Sequence, residues 1–199
     1  MFSCYSVMRT IIITIGILAV LGILFYVFFK NNETYQYEVV DRYNDFEVRK
    51  YESALFTSVE LDSGSYKSVS SKGFNILAGY IFGGNQSKKK IAMTTPVTMD
   101  LSDKMTMRFL VPAKYSKQEL PKPNNQEIEI EEVPARIVAT IRFSGWADDD
   151  KIENYRQKLD EALQNEGLQH TGGFTFMGYN APFDFINRRN EVMVELINF

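Results

Sequence analysis

The sequence is short of cysteine and histidine. Cys4 is the one cysteine, so no intrachain disulfide can form, and His170 is the one histidine. A structural zinc site takes four such ligands and has one of each to draw on. A nucleophile–base triad would have only His170 as its imidazole, and no nucleophile elbow precedes that residue. Basic charge is also missing: 22 Lys and Arg stand against 25 Asp and Glu, a net charge of −3 over 199 residues. Binding a phosphate backbone needs a basic surface, so nucleic acid is not expected as a partner. The local exception is Lys88-Lys89-Lys90, which reads either as a basic patch or as a loop kept in water by its charges.

What is present is an ordinary globular balance, with 45% hydrophobic and 24% charged residues, enough for one domain with a core of its own. A long apolar run precedes it. Ile11 to Phe29 is broken only by Thr14, Gly16 and Gly22, and lies between Arg9 and Lys30. About 20 apolar residues cross a hydrocarbon core as a helix. The apolar region of a cleaved signal peptide is usually about 7–15 residues and ends at a small-x-small site. This run ends instead in Phe25-Tyr26-Val27-Phe28-Phe29, which resembles an interfacial aromatic anchor. The expected organisation is a short tail over 1–10, a transmembrane signal anchor over 11–29, a linker over 30–34 and a domain over 35–199. Arg9 favours a cytoplasmic tail, while Lys30 pulls the other way; the single-pass protein is expected to hold its domain outside the cytoplasm.

Within the domain, Tyr35 to Tyr43, Phe46 to Tyr51 and Leu55 to Leu61 read as strands. Ser65 is placed to cap a helix on which Tyr66, Val69, Gly73, Leu77, Tyr80 and Ile81 make one apolar stripe. That helix stops at Gly83-Gly84. A strand closed by Pro96 is expected after the lysine loop, and Met105 to Val111 alternates as another. Glu127 to Val133 and Ile137 to Phe143 follow as strands. Asp148-Asp149-Asp150 opens a second helix, as caps and dipole partners or as a calcium site, though the glycine and distal Glu of a calcium loop are missing. Gly167 ends it, and Phe174 to Tyr179 and Glu191 to Ile197 are the last strands.

The two halves match without gaps at a shift of 82 residues, which lays Phe46 on Ile128, Val59 on Ile141 and Ser65 on Ala147. Each half is strand–strand–helix–strand–strand. The expected fold class is α+β: duplicated ββαββ halves with about eight antiparallel strands in a twisted or barrel-like sheet, and a helix on each half.

Three motifs resemble the SOUL haem-binding protein family: Gly73-Phe74-Asn75-Ile76-Leu77-Ala78-Gly79-Tyr80-Ile81-Phe82-Gly83-Gly84-Asn85, Lys90-Ile91-Ala92-Met93-Thr94-Thr95-Pro96-Val97, and Gly178-Tyr179-Asn180 with Arg188-Arg189-Asn190-Glu191-Val192. The resemblance implies an eight-stranded twisted antiparallel β-barrel flanked by two helices, as in the bacterial effector-binding fold. It also implies haem, or another tetrapyrrole, in an apolar cleft beside the first helix. Basic residues on that helix would meet the propionates; here these are Lys67 and Lys72.

The ligand-binding set expected on this basis is Lys67, Lys72, Phe74, Ala78, Phe82, Arg188 and Arg189. Each residue has a plainer role beside it. The apolar members also read as core, since a stripe at helical spacing is normally buried. The arginines read as an anion clamp or as partners of Glu191 or Glu195 in the last hairpin. His170 reads as an axial metal ligand or as a loop histidine, and Met93 as a thioether ligand or as core. Glu60, Glu191 and Glu195 are the acids open to catalytic use, but no acid–base constellation converges, so no enzyme is expected. Two functions stand: a membrane-anchored tetrapyrrole-binding protein for buffering or delivery, and a non-haem small-molecule sensor or interaction module on the effector-binding fold.

Overall fold

The computed structural model describes residues 13–16, 19–20, 33–62, 64–102, 104–181, 184 and 187–199. Residues 1–32 and 33–199 form separate units. In the first, residues 13–16 and 19–20 are helical, and the rest of the 11–29 segment expected to cross a membrane lies outside the described residues. Among the described residues no helix is long and apolar enough to cross a membrane.

In the second unit the alternating segments become strands: β1 (Tyr37–Arg42), β2 (Glu47–Tyr51), β3 (Ala54–Leu61), β4 (Val97–Asp100), β5 (Met105–Leu110), β6 (Ile128–Val133), β7 (Arg136–Ser144), β8 (His170–Gly178) and β9 (Arg189–Leu196). Helix α1 (Tyr66–Ile81) follows β3 and helix α2 (Asp149–Asn165) follows β7. All the pairings are antiparallel, in one nine-stranded sheet of order β1-β2-β7-β9-β8-β4-β5-β3-β6.

This corrects the eight-stranded barrel. The hairpin through Asn44-Asp45 adds β1 as a ninth strand, and β1 and β6 remain edges, so the sheet curls without closing. The outer edge of β6 is lined by Glu129, Glu131 and Glu132, charges that discourage further pairing. A second correction concerns Pro96. It precedes a strand rather than closing one, because proline has no N–H to give a ladder and β4 can begin only at Val97. His170, expected in a loop, opens β8 opposite Leu196, and Gly172 at φ +81 takes up the irregularity before Phe174.

For β2 to β9, the strand order reads the same from either end when β2–β5 are exchanged with β6–β9. Moving β3 by 82 residues places it on Arg136–Phe143, within β7. The correspondence in number fails after the helices. Residues 82–96 join α1 to β4, whereas only 166–169 join α2 to β8.

The side-chain alternation divides the sheet into two faces. Val48, Ala139, Ile141, Val192 and Val194 pack under α2 with Leu159 and Leu163. Val59, Leu61, Met107 and Phe109 pack under α1 with Leu77, Tyr80 and Ile81. The inner face carries a third cluster, of Tyr35, Tyr51, Phe56, Leu110, Val138, Met177 and Met193.

Candidate functional site

Helix α1 starts where the sequence puts it. The Ser65 hydroxyl accepts from the Ser68 N–H at 3.2 Å. The first turn of α1 has no acid of its own. Asp149, in the first turn of α2, accepts instead from the N–H groups of Tyr66 at 2.5 Å and Lys67 at 3.3 Å, so one carboxylate satisfies donors of the neighbouring helix. Asp148 caps α2 itself through Lys151 N–H at 2.8 Å. The triple aspartate is thus shared between two helix starts, and among the described residues no group of three His, Cys, Asp or Glu is placed to hold a metal.

The inner face of α1 is core. Gly73 lies so close to β3 and β5 that an added Cβ would meet Leu61 Cδ1 at 2.8 Å. Tyr80 donates to Pro121 O at 2.9 Å, and burial pushes its phenol up to about 12. Of the expected ligand residues, Lys67, Phe74, Ala78 and Phe82 recur at helical spacing along one flank. Lys67 is exposed and Phe82 is 63% exposed; Phe74 is half-buried, its ring edge-on to Phe109 at 5.2 Å, and Ala78 belongs to the core. Lys72 lies off this flank and pairs with Asp62 at 3.4 Å, both side chains being largely exposed. Beside them, at Gly79, a Cβ would meet nothing within 4 Å. Clefts that indent the domain among the described residues are walled by other elements than α1. On this flank Lys67, Gly79 and Phe82 are exposed and Phe74 is half-buried.

Arg188 ends the loop before β9 and Arg189 opens the strand, and their side chains find different partners. Arg188 stacks on Trp146 at 4.1 Å and donates to Ala181 O and Asp184 O. Arg189 stacks on Tyr179 at 3.9 Å and donates to Glu191. They do not form one clamp. His170 has both ring nitrogens engaged: Nε2 lies 2.9 Å from Asp160 Oδ1, and Nδ1 accepts from Gly172 N–H at 3.2 Å. Met93 packs half-buried against the α1 core. The lysine loop is tied down by Asn85, which is 1% exposed. Its amide donates to Tyr80 O and Lys89 O and accepts from Lys89 N–H, and Lys89 lies over the Tyr115 ring at 4.4 Å.

The inner face holds a network only partly anticipated. Glu191 is 0% exposed and Arg49 3%. Arg49 Nη1 donates to Glu191 Oε2 at 2.9 Å and Nη2 to Oε1 at 3.2 Å, a two-armed pair. Tyr179 Oη donates to Oε2 at 2.8 Å, and Arg189 Nε donates to Oε1 at 2.9 Å. Arg49 Nε also donates to Glu47 at 2.8 Å. Burial by itself would lower the Arg49 guanidinium, but the bonds and charge of Glu191 outweigh it and hold the group above its ordinary range. Burial raises the Tyr179 phenol, and nearby Tyr51 and Glu191 raise it further, so it stays a proton donor. A second ionic cluster shares this face: Arg108 bridges Asp100 at 2.5 Å and Glu131 at 2.7 Å, and Thr175 donates to Asp100 at 2.9 Å. Arg189 with Glu191 follows from two-residue spacing along one strand. Arg49 with Glu191 joins residues 142 apart and has no local signal.

Comparison with known proteins fits this architecture. Residues 32–195 match the family model described as SOUL heme-binding protein. The chain belongs to that family. It is 28% identical over 156 residues to Heme-binding protein 2 of Mus musculus, covering 74% of this chain and 76% of that protein. It is 26% identical over 155 residues to Heme-binding protein 1 of Xenopus laevis, covering 74% and 81%. Among solved structures, the EcmrR C-terminal domain superposes with a TM-score of 0.62 at 12% identity, over 82% of this chain and 99% of that one. A hydrolase from Listeria innocua superposes at 0.57 and 9% identity, over 79% and 94%. These two likenesses are of fold.

In this SOUL chain the family motifs are visible as junctions. Gly73 to Asn85 spans the close approach of α1 to the sheet and its stop at Gly83, φ +112. In the last motif Asn180 Oδ1 accepts from Arg189 N–H at 2.6 Å and Asn190 donates to Gly145 O at 2.7 Å, which joins the last hairpin to the start of α2.

Proposed function

We propose that the chain is a single-pass membrane-anchored binding protein for haem or a related tetrapyrrole, acting in buffering or delivery. Residues 11–29 form the anchor and the domain lies outside the cytoplasm. It is a carrier without catalysis of its own and without a nucleic-acid partner. Family membership supports the ligand class. The apolar run and its flanking charges support the anchor, and an internal duplication accounts for the symmetric strand order.

The observation that carries this reading is the flank of α1. A Phe82 that is 63% exposed is unusual for so large an apolar side chain, and it shares its flank with half-buried Phe74 and exposed Lys67. Seven residues, about 10 Å along the helix axis, separate Lys67 from Phe74. Phe74 and Phe82 would cover the apolar macrocycle, Gly79 leaves room beside them, and Lys67 would meet a propionate. Lys72 adds positive field from beside the strip. Bound haem would supply iron and a strong visible absorption. His170 is committed to Asp160 and Gly172, so the residues fit the macrocycle and propionates rather than axial ligation by histidine.

A second reading, a non-haem small-molecule sensor, is supported by one feature: walled clefts open on the inner face, away from α1. Titration of the purified full chain in detergent with haem separates the two. A saturable Soret change supports the first reading. A response identical to that of a non-specific control protein overturns it.

A further inference from the structure

The inner face opens to solvent in a groove of about 430 Å³ between the β1–β2 hairpin and strands β7 and β9. It is apart from α1 and independent of tetrapyrrole binding. Its charged wall consists of Arg42, Arg49, Arg142 and Arg189 against Asp45 and Glu47. Glu191 lies behind that wall. Four guanidinium groups thus face three carboxylates, and one positive charge is in excess.

The pairing shows which charge is spare. Arg42 is joined to Glu47, and Arg49 is joined to Glu47 and Glu191. Arg189 is joined to Glu191 and to the Tyr37 hydroxyl. Arg142 is directly opposite Glu191 in the β7–β9 register, yet the Glu191 oxygens are already filled by Arg49, Arg189 and Tyr179. Among the described residues Arg142 has no ion-pair partner, and its side chain is exposed. Arg189 is its diagonal neighbour, because Ser144 rather than Arg142 stands opposite it. On one face of an antiparallel pair, diagonal side chains of this length come within reach of each other. The Nη1 group of Arg189 makes no hydrogen bond among the described residues.

A cation would meet only Asp45 of the hairpin turn, because Glu47 and the buried Glu191 are already engaged by arginines. An anion has two guanidinium edges. We propose that this groove binds a small oxyanion, a carboxylate or a phosphate, held between Arg142 and the free edge of Arg189. Arg142 offers paired N–H donors along its guanidinium plane, and Arg189 adds the N–H groups of Nη1, its Nε and Nη2 being held by Glu191 and Tyr37. The floor is set in advance: Arg49 is fixed by Glu47 and stacks on the Tyr37 ring at 4.4 Å, so few groups need to be ordered on binding.

The test uses the full chain in detergent at constant ionic strength, titrated calorimetrically with citrate and, separately, with inorganic phosphate. Chloride serves as the reference ion. Saturable binding of one probe is expected, and its identity tells carboxylate from phosphate. Arg142→Gln is expected to weaken that binding about tenfold or more while the melting temperature without probe stays unchanged. Lys117→Gln, which removes an exposed charge outside the groove, is expected to leave binding as it was. Saturation by neither probe, or equal binding by wild type and Arg142→Gln, overturns the proposal.

Discussion

The Asp149 carboxylate, at the start of α2, accepts the backbone N–H of Tyr66, at the start of α1, at 2.5 Å. Two helices 83 residues apart in sequence therefore share one acid at their positive ends. Removing it leaves two first-turn donors of α1 without that partner. Asp149→Ala is expected to cost about 1 kcal/mol or somewhat more, the size of a lost helix cap. Asp150→Ala, next to it and exposed, is expected to cost less than about 0.5 kcal/mol. Urea unfolding of both variants measures the difference. Equal losses would mean that the bond between the helices contributes nothing.

Arg49 and Glu191 make the second prediction. Removing one member of a buried ion pair leaves the other charged and under-partnered, which costs about 3–5 kcal/mol. Arg49→Met is expected to fall in that range. Adding Glu191→Leu is expected to recover part of the loss, because the orphaned carboxylate is then gone. A double-mutant cycle by chemical denaturation gives the coupling, and strict additivity would contradict it.

The third concerns alkaline pH. Burial raises the phenol of Tyr80 from 10.0 to about 12, and burial also raises those of Tyr51 and Tyr66. The folded state therefore holds these protons more tightly than the unfolded chain does. The stability this contributes is complete below pH 10.0, the unfolded value, and is lost as pH rises towards 12. The melting temperature is expected to fall over that interval. Tyr80→Phe is expected to fall less steeply, despite starting lower for want of its bond to Pro121 O. Thermal scans across the interval compare the slopes.

Haem binding supplies the fourth. Phe82→Ala and Lys67→Ala are expected to weaken haem about tenfold or more, and His170→Ala to leave it within about twofold. The Soret titration reads all three. Dependence on His170 with indifference to Phe82 would move the site from α1 to the α2–β8 junction.

The fold was legible wherever periodicity is local. The stripe on α1, the caps at Ser65 and Asp148, the stop at Gly167 and the alternation of β5 and β7 could be read directly, because each depends on neighbours within a few residues. Sheet closure could not be read. Whether β1 meets β6 depends on cumulative twist and on edge charge, and neither is written in any one strand. The site divides in the same way. Lys67, Phe74, Ala78 and Phe82 share a flank because helical spacing requires it. Arg188 and Arg189 part at the start of β9: Arg188, still in the preceding loop, is held by Ala181 O and Asp184 O, while Arg189, the first strand residue, turns to Glu191. The Arg49–Glu191 pair needs the sheet order itself, since β2 and β9 touch only through β7.

The Asn85 knot has a further consequence. Lys88-Lys89-Lys90 is a sequence that trypsin would favour, on an exposed loop. A protease must draw its target out into an extended form before it can cut. Here that means breaking the three bonds of a buried asparagine amide at once and lifting Lys89 from Tyr115. The loop is accessible to water yet is expected to resist trypsin in the folded protein, and a cut there would report that the C-terminal end of α1 had already let go.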